Sequence, residues 1–136
     1  MKFFNRSWVP SKDEVQKAFN RRFQTHSSGN IIKLETACQW KSHLVDVEKD
    51  AGLTGSIKYV LYPDKGSKSW RVQAVPVESG SFLSRKPLKE AWQGLRDDKL
   101  ADATGVKDAK FVHHTGFIGG AHSYEGVLKL AVLSLD

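Results

Sequence analysis

The sequence predicts an α+β fold, a single domain over residues 1–136 with one sheet of about four strands, mixed or antiparallel, and helices packed on it. Three observations predict it. Val15, Ala18, Phe19 and Phe23 recur at helical spacing. Residues 70–75 alternate apolar and polar as a half-buried strand does. An almost wholly apolar segment, Val127 to Leu135, follows a glycine-rich junction near the end of the chain. The 136 residues suit one compact domain with a real core, and no repeat, linker or low-complexity tract divides them.

Taken in order, Ser11 with Glu14 three residues on makes a capping box, preceded by Pro10 and by Trp8 as a staple. The helix this starts places Phe19 and Phe23 in the core and leaves Lys12, Lys17, Arg21 and Arg22 on other faces, as solvated cations. Ser27 to Asn30 is a loop, and Asn30 to Leu34 a short strand. Gln39 to Leu44 fits no template well; a single helical turn leading to Glu48 is one reading of it, and His43 beside it reads as a surface or hydrogen-bonded histidine. Ile57 to Tyr62 is rich in β-branched and aromatic residues and reads as a strand. The turn-type residues 63–68 join it to the alternating strand as an antiparallel hairpin. On that second strand Trp70, Val72 and Ala74 face one way, and Arg71, Gln73 and Val75 the other. Pro76 to Gly94 is a long irregular connection, of a kind that often covers a site. Asp97 to Thr104 is a short helix stopped by Gly105.

The stretch Lys110 to Gly126 concentrates the chemistry. Phe111 and Val112 read as a buried strand, Gly116, Gly119 and Gly120 as a tight turn, and the residues beyond as the first turn of a helix. Such a junction binds anions: the first amides of a helix lack internal partners, and glycines let an oxyanion approach the backbone. His113, His114 and His122 flank the turn as donors to phosphate or as metal ligands. The plainer reading is that the glycines only permit a sharp connection.

Composition narrows the partners. The net charge is +6 with a pI near 9.5, which points towards polyanions. Residues 1–41 hold eight Lys and Arg against three Asp and Glu, so the excess sits in the first third. A single cysteine, Cys38, excludes an internal disulfide framework and favours an intracellular setting. No apolar stretch approaches a membrane span, and Met1 to Phe4 is too short for a signal-peptide core, so a membrane partner is not expected.

An ordered series of short motifs goes further. It runs through Trp70-Arg71-Val72-Gln73, Arg85-Lys86-Pro87-Leu88, Trp92-Gln93-Gly94-Leu95-Arg96-Asp97, Phe111-Val112-His113, Gly116-Phe117-Ile118-Gly119-Gly120 and Glu125-Gly126. Ser7-Trp8-Val9-Pro10, Trp40-Lys41-Ser42-His43-Leu44 and Tyr59-Val60-Leu61 extend it upstream. This series closely resembles the carboxy-terminal half of the Myg (melanocyte proliferating gene) family, relatives of the DHH phosphoesterases. The resemblance implies a DHH-associated-domain-like fold that grips the phosphate or nucleotide of its substrate. It implies a partner, an amino-terminal catalytic domain absent here, whose His/Asp cluster holds Mn or Mg, and no cofactor in this chain itself. It also implies 3′-to-5′ exonuclease action on single-stranded RNA, with a nuclear or mitochondrial location, and a chain that is inactive alone. One departure stands out: the family pattern of three glycines and a histidine is here Gly119-Gly120-Ala121-His122, and Ala121 would be strained in a left-handed conformation.

The substrate-binding set expected on these grounds is Gly116, Phe117, Ile118, Gly119, Gly120, His113, His114, His122, Arg71 and Arg96, with no catalytic or metal-binding residue. Arg85 and Lys86 would follow a strand's backbone, and Phe117 or Trp92 would stack on a base. Two other readings compete. A self-contained metallo-enzyme built on His113, His114 and His122 lacks a carboxylate partner. A non-enzymatic protein-interaction module would use the glycine turn only as architecture.

Overall fold

A computed structural model of the chain describes residues 9–35, 40–64, 69–77 and 83–135, with side chains from residue 13 onwards. Its elements are helix α1 (Val9–Asn20), the short helix α2 (Arg22–Thr25), β1 (Ile31–Lys33), α3 (Lys41–Asp50), the hairpin β2 (Tyr59–Asp64) and β3 (Ser69–Ala74), a 3₁₀ turn (Glu90–Trp92), α4 (Asp97–Thr104), β4 (Ala109–Val112), β5 (Ile118–Ala121) and α5 (Tyr124–Leu135). The described strands form one mixed sheet in the order β1-β2-β3-β5-β4, in which the β1–β2 pairing is parallel and the other three are antiparallel.

Helices cover both faces. Val127, Leu130, Ala131 and Ser134 fall on one stripe of α5 and are buried. With Leu88, Trp92, Leu100 and Val106 they pack on Ile31, Tyr59, Leu61, Val72, Ala74, Val112 and Ala121. Across the sheet, Val15, Ala18 and Phe19 of α1 and Leu44 and Val47 of α3 pack on Ile32, Leu34, Val60 and Val75. The expected alternation on β3 holds, since Val72 and Ala74 enter the first cluster and Val75 the second. The two clusters hold the sheet from both sides, each fully buried aliphatic side chain contributing about 1.5–3 kcal/mol.

Several expectations change. The sheet has five strands because Ile118–Ala121, placed in a turn by its glycines, is itself a strand. The segment after Trp40 is a ten-residue helix, not a single turn. Helix α1 starts at Val9, ahead of Ser11, and the Glu14 carboxylate accepts from the Glu35 amide at 2.6 Å. Phe23 is 60% exposed, not core, under the Arg22 guanidinium, which sits 4.7 Å from its ring centre. The hairpin and α4 match, with Gly105 ending α4 at φ 76°. Within the long connection, Arg85 turns inward to Glu48, a buried pair at 2.8 Å, which removes it as a nucleic-acid contact. Trp92 is buried and cannot stack on a base. Trp8, Cys38 and the tip of the connection at Ser79-Gly80-Ser81 lie outside the described residues, as do the side chain of Ser11 and the loop 65–68. Among the described residues, no helix is long and apolar enough to cross a membrane.

Candidate nucleotide-binding groove

Topology brings three strand ends together. Because β1 and β2 are parallel, and β3 is antiparallel to both β2 and β5, the strands β1, β2 and β5 all point the same way. Helix α5 begins at that edge. Ser123 caps it, its hydroxyl accepting from the Gly126 amide at 3.1 Å. Beside this helix start lies a groove of about 410 Å³, a size at the lower end for small-molecule sites. Lys17, Arg21 and Glu14 line it from α1, Lys33 and Glu35 from the end of β1, and Tyr124 from the first turn of α5.

The local sequence explains each placement. Arg21, just past the end of α1, donates its amide to the Lys17 carbonyl at 3.1 Å and so follows Lys17 on the same face, with Glu14 three residues before Lys17. Lys33 is the last residue of the outermost strand, and its ammonium lies 4.6 Å from the ring centre of Tyr124 and 5.8 Å from that of Trp70. The two rings pack at 5.1 Å and 58°. Leu34 donates inward to Leu61 at 2.8 Å, so alternation turns the amides of Lys33 and Glu35 outward. Glu14 accepts the second of these. Burial, then the neighbouring Glu125 and Glu35 carboxylates, hold the Tyr124 phenol above its ordinary pKa, so it stays a neutral donor at physiological pH. The groove therefore combines three cations, the neutral Tyr124 phenol and two carboxylates.

The residues expected to form one site are divided among three places. Gly119 and Gly120 lie in β5, flanked on both sides by β3 and β4. Their amides belong to the sheet ladders, so they do not cradle an anion at a helix start. The absent Cβ of Gly120 serves another purpose: it seats Arg71. That guanidinium donates to Ser69 at 2.9 Å and Asp64 at 3.1 Å and lies 5.1 Å from the centre of the Phe111 ring. Register sets Arg71, Gly120, Phe111 and Arg96 in one row across a single face of the sheet, with Arg96 exposed at its end. Ile118, half-buried, pairs with Gln73.

His113, His114, Gly116 and Phe117 form the β4–β5 turn at the opposite end of the sheet. Gly116 takes φ 76°, the left-handed conformation its turn requires. The rings of His113 and His114 stand 4.2 Å apart, and Phe117, 37% exposed, meets His113 edge-on at 4.7 Å. Nδ1 of His113 accepts from the Thr115 amide at 3.2 Å. His122 is exposed just past the other end of β5, and its amide donates to Asp108 at 2.9 Å. The four residues of β5, Ile118–Ala121, separate it from the turn by about 13 Å of strand, so the three histidines cannot share a ligand. Among the described residues no three His, Cys, Asp or Glu side chains are grouped to hold a metal ion. The donor set thus does not fit a divalent metal site.

The expected set did not include Lys17, Arg21, Lys33 or Tyr124, which line this groove, while Trp70 packs against the core. The signal was the basic surplus of the first third, from which all three cations come.

Comparison with known proteins places the chain. The sequence model of the uncharacterised protein family UPF0160, the MYG1 exonuclease model, matches residues 1–135. The chain is 43% identical over 136 residues to the MYG1 exonuclease of Rattus norvegicus, covering 99% of this chain and 35% of that protein. It is 45% identical over 134 residues to the MYG1 exonuclease of Bos taurus, covering 98% of this chain and 35% of that protein. A MYG1 protein of Dictyostelium discoideum is 41% identical over 134 residues, covering 98% of this chain and 40% of its own length. The chain therefore spans well under half the length of these relatives.

Proposed function

Since this chain belongs to the MYG1 exonuclease family, UPF0160, we propose that it is the substrate-gripping part of a metal-dependent 3′-to-5′ RNA exonuclease. It holds the phosphate or nucleotide end of a single strand while a catalytic domain outside this chain, carrying Mn or Mg, performs hydrolysis. The work then takes place inside the cell, in the nucleus or mitochondrion. The observation that carries the reading is the groove that Lys17, Arg21 and Lys33 line together with Tyr124, whose ring centre lies 4.6 Å from the Lys33 ammonium. Ammonium and guanidinium groups give charge-assisted hydrogen bonds to phosphate oxygens, and an aromatic face beside them accepts a base. Fixing the strand lowers the entropic cost of presenting its scissile bond to the catalytic domain. In this reading the chain contributes binding and orientation, and the catalytic domain supplies the metal and the hydrolytic step.

The test is anisotropy of a labelled short single-stranded RNA with the 136-residue chain at moderate salt. The chain binds, and the triple variant Lys17→Gln, Arg21→Gln, Lys33→Gln loses binding while keeping its circular dichroism. Unchanged binding in that folded variant refutes the site.

A second reading, a protein-interaction module without enzymatic partner, has one observation in its favour. Val77 and Leu83, joined by a hydrogen bond from the Val77 amide to the Leu83 carbonyl at 2.7 Å, are 50% and 71% exposed. It predicts no RNA binding in the same assay.

A further inference from the structure

We propose that the end of the sheet opposite the groove rests on an anionic phospholipid surface. At that end β1 and β2 begin, β3 finishes and β4 turns into β5. The large hydrophobic side chains exposed among the described residues are Phe23, Leu53, Val77, Leu83 and Phe117, and all five belong to it. Phe23 lies over Gly29, two residues before β1, where an added Cβ would meet its ring. Leu53 is in the loop that leads into β2, its carbonyl accepting from the Ser56 amide at 3.0 Å. Val77 and Leu83 pair just beyond the last residue of β3. Phe117 closes the β4–β5 turn, its carbonyl accepting from the Ala74 amide at 2.8 Å.

Each of these loops carries a cation. The Arg22 guanidinium stands 4.7 Å from the centre of the Phe23 ring. Lys58 ties its ammonium to the Gly55 carbonyl at 2.9 Å, in the loop of Leu53. Lys86 follows Leu83 by three residues. Lys89 follows Leu88, whose amide donates at 2.9 Å to the carbonyl of Gly116, next to Phe117. These four cations outnumber Asp50 and Glu90, the exposed carboxylates described at this end. Apolar side chains interleaved with cations suit the boundary between acyl chains and anionic headgroups, where the first leave water and the second meet phosphates. Such a contact needs no spanning helix. A bilayer fits better than a protein because the side chains come from four separate loops. A fluid surface adapts to separate tips, whereas a protein partner needs one contiguous complementary patch. Held this way, the chain turns its groove towards water.

The test is cosedimentation of the 136-residue chain with vesicles of phosphatidylcholine, alone or mixed with phosphatidylserine. The chain sediments with the mixed vesicles and stays in solution with the neutral ones. The triple variant Val77→Ser, Leu83→Ser, Phe117→Ser keeps the net charge and the circular dichroism of the parent, yet its partitioning falls about tenfold or more. The groove variant Lys17→Gln, Arg21→Gln, Lys33→Gln keeps most of its lipid binding, although it loses RNA in the test above, so the two proposals fail separately. No sedimentation with either vesicle overturns the proposal, as does a serine variant that sediments like the parent. A groove variant that loses as much as the serine variant also overturns it, because binding then follows net charge and not this end of the sheet.

Discussion

Arg71 lies where the side chain of residue 120 would be. A Cβ built on Gly120 comes within 2.9 Å of both Nη1 of Arg71 and the Phe111 ring, and within 3.2 Å of the Trp70 carbonyl oxygen. Gly120→Ala therefore forces the guanidinium off its place between Ser69, Asp64 and Phe111. Overpacking of this kind costs about 1–3 kcal/mol, read as a lower urea midpoint at unchanged m-value. Because the guanidinium is one of the two closest obstacles, Arg71→Ala combined with Gly120→Ala costs less than the sum of the single changes. Strict additivity would mean that the Phe111 ring or the Trp70 carbonyl, not Arg71, sets the need for glycine.

The groove separates charge from stacking. Lys33→Gln removes one cation beside Tyr124, so the dependence of log affinity on log salt becomes shallower by about 0.7 for a single-stranded ligand. Tyr124→Leu leaves that slope unchanged and weakens binding by about 1–3 kcal/mol through lost stacking. Anisotropy titrations of both variants across a salt series distinguish the two effects. Parallel slopes for Lys33→Gln and the parent chain would show that Lys33 contacts no phosphate.

Much of this was legible in the sequence, and the failures have physical causes. The β2–β3 hairpin, its facing pattern and α4 with its terminal glycine follow from local signals: alternation, turn residues and a left-handed stop. Strand β5 was hidden because glycine lacks strand propensity; Gly119 and Gly120 are strand residues by virtue of neighbours on both sides. Phe23 fitted the helical stripe, yet α1 stops at Asn20 and the new short helix turns the ring outward. Arg71, Gly120 and Arg96 do come together, through register that no single segment encodes. The groove was least legible of all. It is assembled from α1, the end of β1 and the start of α5, so only the charge surplus of residues 1–41 hinted at it.

Glu48 is completely buried, and both of its oxygens are used. Arg85 donates to Oε1 and to Oε2 at 2.8 Å, and the Ile57 amide donates to Oε2 at 2.9 Å. The arginine reaches on to the Ile57 carbonyl at 2.9 Å, tying the long connection to α3 and the approach to β2. Glu48→Ala leaves a buried guanidinium without its counter-charge, which costs about 3–5 kcal/mol. Replacing both, Glu48→Met with Arg85→Met, is milder than Glu48→Ala, since no unpaired charge remains. Thermal unfolding of the three proteins checks the order, and a double variant as unstable as the single one would assign the loss to the Ile57 amide instead.

Tyr59 makes the fold sensitive to alkali. Its hydroxyl donates to the Ser134 carbonyl at 3.2 Å beneath α5, and burial raises its pKa well above the ordinary phenol value, the Ser134 side-chain hydroxyl offsetting only part of that rise. The sign follows from proton binding. In the unfolded chain the phenol titrates near about 10, while the folded protein keeps it protonated, so above that pH the native state binds more protons than the unfolded one. The stabilisation is complete below the unfolded pKa and is lost progressively as pH rises beyond it towards the folded value. Tyr62, raised by burial first, with Arg71 lowering and Asp64 raising it, adds to the same loss. Tyr59→Phe removes the larger contribution: at neutral pH it costs about 0.5–1.5 kcal/mol for the hydrogen bond, and above pH about 10 its stability falls less steeply than that of the parent. Urea unfolding at a series of alkaline pH values measures both slopes. Identical slopes would place the alkaline sensitivity on other groups and leave Tyr59 as a packing residue only.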